Sequence, residues 1–184
     1  ELKFLVGFFY FSGWQELYDA IKDREDLTIK ILVGLRVDKL LNRIVEVPEE
    51  RKKLSDEEKV EGFFDSLLNA LNSSDMDSRE FYEQVSFFVT LSENNKLIVR
   101  QPQDPNHAKL YLFNIKESLQ GIADKKFITG SSNLTRAGIL EQNEFNVEIS
   151  DYGTDEAEAY FDDLWETAVP ITEVDSRKND LINI

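Results

Sequence analysis

Residues 4–35 read FLVGFFYFSGWQELYDAIKDREDLTIKILVGL, and this stretch decides the fold. Residues 4–11 are apolar almost throughout and rich in aromatic side chains, as in a strand buried on both faces. After Ser12 and Gly13, apolar residues recur at helical spacing: Trp14, Leu17, Tyr18 and Ile21. Residues 27–35 predict a second buried strand. A strand, a helix and a strand of these lengths predict a βαβ unit with parallel strands.

The next stretch, residues 43–95, has the pattern of helices. Ser55 followed by Glu58 forms a capping box, the signature of a helix start. An apolar stripe follows: Val60, Phe63, Phe64, Leu67, Leu68 and Leu71. A second helix is predicted to begin at Asp77, with inner residues Phe81, Tyr82, Val85 and Phe88. The pair either covers the sheet or forms an insertion.

Further strands are predicted at residues 96–100, 107–113, 126–129 and 144–149. A last amphipathic helix begins at Thr154 and ends before Pro170. The whole pattern predicts a single α/β domain spanning residues 1–184. It has a mixed, largely buried sheet, helices on both faces and a helical insertion at about 43–95.

Composition excludes several classes of protein. The 184 residues contain no cysteine and one histidine, which excludes disulfides, thiolate metal sites and a structural zinc site. The absence of cysteine fits a reducing, cytoplasmic compartment. The sequence has no membrane-spanning apolar run and no signal peptide at its start. Because the chain does not begin with Met, we expect it to be a fragment of a longer protein.

The formal net charge of −15 counts against a general nucleic-acid binder, whose usual surface is basic. The distribution matters more than the total, since the stretch from Lys96 to Gly138 carries a net charge of +4. Charge alone leaves two interpretations open. This stretch forms a basic face that attracts a polyanion, or it is an ordinary solvated surface.

The first group of candidate catalytic residues lies in NHAKLYLFN, residues 106–114. In a strand, His107, Lys109 and Tyr111 project from the same face. A histidine and a lysine side by side repel each other when both are charged, so their pairing is not explained by stability. It suits a phosphate, because the ammonium neutralises an oxygen while a neutral imidazole attacks phosphorus or shuttles a proton.

A second group of residues lies in KKFITGSSNLTRAGILEQNEFNVEI, residues 125–149. Gly130, Ser131, Ser132 and Asn133 stand between a strand and the first turn of a short helix that we expect to end at Gly138, which predicts an anion cradle. Glu144 opens the next predicted strand, where its carboxylate can orient an imidazole.

Each of these pieces also has a purely structural interpretation. A single histidine on a strand is commonly structural, GSSN alone is an ordinary turn or helix cap, and Glu144 alone marks a strand edge. Their combination, in this order and on these elements, favours a phosphate site.

This combination resembles the phospholipase D (HKD) superfamily, whose motif is H-x-K-x4-D-x6-G-S-x-N with a later glutamate. The matching residues are His107, Lys109, Gly130, Ser131, Asn133 and Glu144. The resemblance is strongest to the nuclease and restriction-endonuclease-like branch, including domains fused to helicases. The sequence departs from the motif twice: Asn114 replaces the usual Asp, and residues 115–129 form a longer spacer, which predicts a longer hairpin loop near the site.

The resemblance implies a metal-independent, cofactor-free displacement at a phosphodiester, in two steps. His107 attacks phosphorus to give a phosphohistidine, and a second histidine protonates the leaving oxygen. Lys109, Ser131 and Asn133 bind the phosphoryl oxygens, and Glu144 holds an imidazole. Arg100 and Arg136 are candidate contacts to nucleic acid.

Because the chain has one histidine, this mechanism predicts a homodimer or a second motif elsewhere in the parent protein. Three functions follow from the sequence. The first is a nuclease domain acting on DNA. The second is a catalytically inactive module for nucleic-acid binding or dimerisation in a larger helicase- or restriction-type protein. The third is a lipid phosphodiesterase, which we rank last because the sequence has no basic amphipathic helix or lipid anchor.

Overall fold

The structure is a computed structural model that describes residues 1–24, 26–34, 55–71, 78–115, 124–141 and 143–173, with the backbone alone for 65–71. The elements in chain order are β1 (Leu2–Val6), α1 (Phe11–Ile21), β2 (Ile29–Val33), α2 (Asp56–Leu71), α3 (Arg79–Glu93), β3 (Leu97–Gln101), β4 (Leu110–Asn114), β5 (Lys125–Gly130), a π-helical turn (Ala137–Glu141), β6 (Asn146–Ile149), α4 (Thr154–Thr167) and β7 (Val169–Pro170). In these ranges no helix is long and apolar enough to cross a membrane.

The strands form one mixed sheet in the order β6-β5-β4-β1-β2-β3-β7. β1, β2 and β3 are parallel neighbours, so the predicted βαβ unit is confirmed. β4 pairs antiparallel with β1, and β5 and β6 continue the sheet in alternating directions. The mixed α/β class predicted from the sequence is therefore confirmed.

Alternate residues of a strand point to opposite faces of the sheet. Both faces carry apolar side chains here, and helices cover both. On one face, side chains of α1, α2 and α3 pack against residues such as Phe4 and Ile31. On the other face, α4 packs Phe161 against Leu5 and Leu32. We call these the three-helix face and the α4 face.

Helices α2 and α3 contribute directly to the main core. The predicted capping box is present, since the Ser55 amide donates to Glu58 Oε2 at 2.8 Å and the Glu58 amide donates to Ser55 Oγ at 3.2 Å. Phe63 of α2 and Phe88 of α3 are buried in the three-helix face. The pair thus covers the sheet, while the insertion at 43–95 stays a prediction. Residues 43–54, the side chains of Leu67, Leu68 and Leu71, and the helix start at Asp77 lie outside the described residues.

The first predicted strand is wrong at its carboxyl end. β1 stops at Val6, and Phe11 already begins α1. Phe9 and Phe11 are each 3% exposed, but they pack against the aromatic side chains of α2 and α3 rather than within the sheet. A continuous apolar run marks burial, and it does not distinguish a strand from the beginning of a buried helix.

The predicted strand at 107–113 begins later, at Leu110. The reason is that the Asn106 backbone N–H donates to Gly34 O, just after β2, at 2.7 Å. Because β1 lies between β2 and β4, the chain has to pass the end of β1 before it can pair as β4. The other strand boundaries differ from prediction by one or two residues, and Glu144 precedes β6. The predicted end of the short helix at Gly138 is also wrong, since Gly138 lies inside the π-helical turn.

A cluster of charged side chains links α4 to the sheet through ion pairs. Lys3, 4% exposed on β1, donates to Glu158 at 2.7 Å and to Asp162 at 2.8 Å. Lys125 donates to the other oxygen of Glu158, also at 2.7 Å, and Asn114 donates to Glu158 at 2.9 Å. Burial by itself raises the pKa of Glu158, but the hydrogen bonds from Lys125, Lys3 and Asn114 outweigh it and lower the pKa to about 2.

We expect acid to destabilise the domain through Glu158. A carboxyl whose pKa is lower in the folded chain contributes stability above its ordinary pKa of 4.5, and this contribution is lost as the pH falls towards about 2. Glu158→Gln removes part of this dependence and lowers the free energy of unfolding at pH 7 by roughly 1–3 kcal/mol. Urea unfolding at pH 7 and pH 3 measures both effects. Asp163→Asn, an exposed position in the middle of α4, is the matched control and leaves both values nearly unchanged.

Candidate active site

The candidate residues meet at one edge of the sheet because of strand direction. The ladder pairs Leu5 of β1 with Leu110 of β4, and Leu110 with Thr129 of β5. The end of β1, the start of β4 and the end of β5 therefore lie side by side. Gly130 pairs with Asn146, which brings the start of β6 to the same edge.

His107 and Lys109 lie in the segment that leads into β4. Gly34 anchors this segment, since a Cβ on Gly34 would stand 2.0 Å from the carbonyl oxygen of Asn106, a distance that excludes any other residue. The Lys109 ammonium donates to His107 O at 2.8 Å, and the Thr129 hydroxyl donates to Lys109 O at 2.9 Å. The His107 side chain is exposed, and its imidazole makes no hydrogen bond within the described residues.

Asn133 is held by the loop that follows β1. Its Oδ1 accepts a hydrogen bond from the Phe8 amide at 3.0 Å. Gly13 of α1 packs directly on this segment, because a Cβ there would lie 2.4 Å from the Leu134 carbonyl carbon. The Asn133 Nδ2 group has no partner among the described residues, so the fold fixes one end of the amide and leaves the donor end for a ligand.

Glu144 lies partly buried just before β6. Burial raises the pKa of the Tyr111 hydroxyl, and the negative charge of Glu144 raises it further. In the described part of the chain the Glu144 carboxylate accepts no hydrogen bond, and none joins it to the imidazole of His107. The structure thus brings the four predicted catalytic residues, His107, Lys109, Asn133 and Glu144, to one edge without direct contacts among all of them.

Ser131 connects the turn to the segment before β6. Its backbone amide donates to Phe145 O at 3.1 Å, and its hydroxyl accepts from the Phe145 amide at the same distance. The hydroxyl also makes a long contact of 3.5 Å to Phe145 O. Its binding to phosphate stays a prediction, since the contacts seen here are structural.

The sequence did not predict the hydrogen bonds that hold the GSSN turn, residues 130–133, in place. The Tyr111 hydroxyl donates to Ser132 O at 2.9 Å, and Asn146 Nδ2 donates to Ser132 Oγ at 2.8 Å. Ser132 is 7% exposed, so these bonds are made away from bulk water. The sequence does indicate where both partners lie, because residues two apart in a strand share a face. Tyr111 follows Lys109 by two residues, and Asn146 follows Glu144 by two.

We expect Tyr111→Phe to destabilise the domain by about 0.5–1.5 kcal/mol, because it leaves the Ser132 carbonyl without its donor. Chemical denaturation measures this difference. Tyr152→Phe is the control, since Tyr152 is 68% exposed and its hydroxyl has no partner in the described ranges. Equal stability of Tyr111→Phe and the unmodified chain would show that the hydrogen bond contributes nothing.

Comparison with models of protein families gives one match over most of the chain. The model described as the PLD-like domain of cardiolipin synthase matches residues 3–165. The chain belongs to this PLD-like family. Membership in the phospholipase D superfamily supports a phosphodiesterase-type enzyme in general. No curated protein matches the chain.

Within this PLD-like domain, Asn114 lies far from the candidate site. It is the last residue of β4, whereas His107 and Lys109 precede the first. It shares the α4 face with Leu110 and Leu112, and it donates to Glu158. The departure from the usual Asp therefore affects how α4 is attached and not the groups at the site edge. The predicted loop nearby falls mostly on residues 116–123, which lie outside the described residues.

Within the described residues, four basic side chains of the stretch from Lys96 to Gly138 form ion pairs. Its ion pairs are Arg100 with Glu173, Lys125 with Asp155 and Glu158, Lys126 with Glu148, and Arg136 with Glu16 and Glu141. The charge count along the sequence missed them because all of these carboxylates come from outside the stretch. Lys109, by contrast, contacts no carboxylate in the described ranges.

The two arginines predicted to contact nucleic acid differ in position. Arg100 binds Glu173 through two nitrogens at 2.7 and 2.8 Å and lies 4.5 Å from the centre of the Trp165 ring, on the α4 face. Arg100 thus has internal partners in this structure, and its contact with nucleic acid stays a prediction. Arg136 follows the GSSN turn by three residues and its side chain is 61% exposed, so its contact with nucleic acid stays a prediction.

Proposed function

We propose that the domain is a metal-independent phosphodiesterase that cleaves DNA through a phosphohistidine intermediate. The observation that carries the proposal is a set of polar groups at one sheet edge that have no side-chain partner among the described residues. They are the His107 imidazole, the Asn133 amide NH2 and the Glu144 carboxylate, together with the Lys109 ammonium, which contacts only a backbone carbonyl. Such groups can contact a substrate without breaking an ion pair or a side-chain hydrogen bond.

The roles of these residues follow from their chemistry. In the first step the neutral His107 imidazole forms an N–P bond, and the bond from phosphorus to the leaving oxygen breaks. Lys109 and Asn133 donate to the non-bridging oxygens, where negative charge accumulates. Glu144 accepts a hydrogen bond from an imidazole N–H and so keeps the opposite nitrogen free to react.

Completion of the reaction requires a second imidazole. In protonated form it gives its proton to the leaving oxygen; when neutral it takes a proton from the water that then attacks phosphorus and breaks the N–P bond. Since the chain has one histidine, we propose that a second copy of this domain supplies the other H-x-K pair across a twofold axis.

DNA as the substrate is supported by the resemblance of the motif to the nuclease branch. The proposal includes a parent protein of the helicase or restriction type, in which this domain is the cutting part. The net charge of −15 implies that DNA contacts are confined to a small area around Lys109 rather than spread over a basic surface.

The decisive test is cleavage of single- and double-stranded DNA in the presence of EDTA. We expect cleavage that resists EDTA and is lost in His107→Ala, whose side chain is exposed and can be removed without disturbing the core. Asn133→Ala is expected to slow cleavage by about 10²–10³-fold, because one preorganised donor to the developing charge is lost. Sedimentation of the same sample measures whether two chains associate.

Asn114→Asp serves as the matched control. It restores the usual residue of the motif on the α4 face, where a carboxylate loses the hydrogen bond to Glu158 and repels it. We therefore expect lower stability, with cleavage unchanged at a temperature where the chain stays folded. Cleavage that appears only in Asn114→Asp would favour the second function, a module that binds nucleic acid or dimerises without turnover. Binding of DNA without cleavage by the unmodified chain and by His107→Ala would favour it as well.

A lipid phosphodiesterase is the third candidate function, and the description of the matching family model as cardiolipin synthase favours it. Release of headgroups from vesicles containing cardiolipin or phosphatidylglycerol tests this candidate directly. Headgroup release that depends on His107, with no DNA cleavage, would replace the nuclease proposal.

A further inference from the structure

Two aromatic residues stand beside the free amide of Asn133. Phe8 donates its backbone N–H to Asn133 Oδ1 at 3.0 Å, and Tyr10 donates its backbone N–H to Leu134 O at 3.1 Å. Between them, Phe9 forms a parallel bridge with Leu134. The loop after β1 is therefore joined to the GSSN turn as a short ladder.

This short ladder has a buried side and an exposed side. Phe9 and Leu134 are 3% and 1% exposed, so the paired residues point into the core. Side chains alternate along extended backbone, which turns Phe8 and Tyr10 to the opposite side, while the Asn133 side chain reaches across the ladder to the Phe8 amide. Tyr10 is 42% exposed, in agreement with this orientation.

The rings of Phe8 and Tyr10 are nearly parallel. Their centres lie 6.4 Å apart and their planes differ by 15°. Within the described residues the Tyr10 hydroxyl makes no hydrogen bond, so the ring is not held at the surface by its polar end. Phe9 in the same loop and Phe11 at the start of α1 are buried, whereas Phe8 is half-buried and Tyr10 is exposed next to a predicted phosphate ligand.

We propose that Phe8 and Tyr10 bind a nucleobase of single-stranded nucleic acid while Asn133 binds the adjoining phosphate. The proposal rests on the proposed function and specifies its substrate class. A nucleobase fits because it is flat, offers a π-face for stacking and is attached to the phosphate through a single sugar. A duplex cannot offer that face without unstacking its bases, so single strands are preferred. Acyl chains have no flat face to match parallel rings.

The experiment compares two ligands of equal length and charge, oligothymidylate and an abasic oligonucleotide, by fluorescence anisotropy in EDTA. Binding is measured in the full chain carrying His107→Ala, so that turnover does not change the ligand. We expect oligothymidylate to bind more tightly than the abasic strand and than a duplex of the same length. Adding Tyr10→Ala should weaken oligothymidylate binding about 5- to 100-fold, the range for loss of one stacked base, and leave abasic binding unchanged.

Two further variants keep this result interpretable. Tyr10→Phe retains the ring and should bind like the parent, which separates stacking from a general effect on folding. Tyr82→Ala removes a tyrosine that is 60% exposed on α3 and should change neither affinity. Equal affinity for the two strands, or equal weakening of both by Tyr10→Ala, would overturn the stacking proposal while leaving DNA cleavage intact. Absence of EDTA-resistant cleavage by the unmodified chain would overturn the proposed function; tighter binding of oligothymidylate that depends on Tyr10 would then assign the aromatic pair to a binding module instead.

Discussion

β4 runs antiparallel to both β1 and β5, and this arrangement decides where the polar groups of the domain can meet. If β4 were parallel to β1, the segment before β4 would lie at the opposite end of the sheet from the segment after β1. Reversal of β4 brings His107 and Lys109 to the edge where β1 ends. The same edge receives Asn133 after β5 and Glu144 before β6. Strand direction thus collects residues from separate parts of the sequence around one small area.

The fold also determines which polar atoms of these residues form hydrogen bonds within the domain. Asn133 has its carbonyl oxygen engaged by the Phe8 amide and its NH2 group unengaged. Rotation of the side chain would break that bond, so the direction of the NH2 group is fixed before any ligand arrives. Preorganised donors of this kind are effective because they need no reorganisation during a reaction. Tyr111 also helps to position Asn133, since its hydroxyl donates to the carbonyl of the preceding residue, Ser132.

The class of fold and the neighbourhood of the site residues could be predicted from sequence, because both depend on strand order and alternation. The end of β1 could not, since Phe9 and Phe11 are equally apolar in a strand and at the start of a buried helix. The start of β4 depends on a backbone contact between Asn106 and Gly34, which are distant in sequence. Charge partners such as Glu173 for Arg100 are equally invisible to a local count of charges.

The two faces of the sheet are held by different forces. The three-helix face depends on large aromatic side chains, such as Trp14 and Phe88, whose ring centres lie 5.2 Å apart. The α4 face combines a smaller apolar cluster with the ionic contacts of Lys3. Salt screens these buried ionic contacts only weakly, but protonation of Glu158 removes its negative charge, so α4 is the layer that acid loosens first. Its departure uncovers Leu5 and Leu32, both fully buried in the intact domain, and a loosened α4 therefore converts this face into a site of self-aggregation.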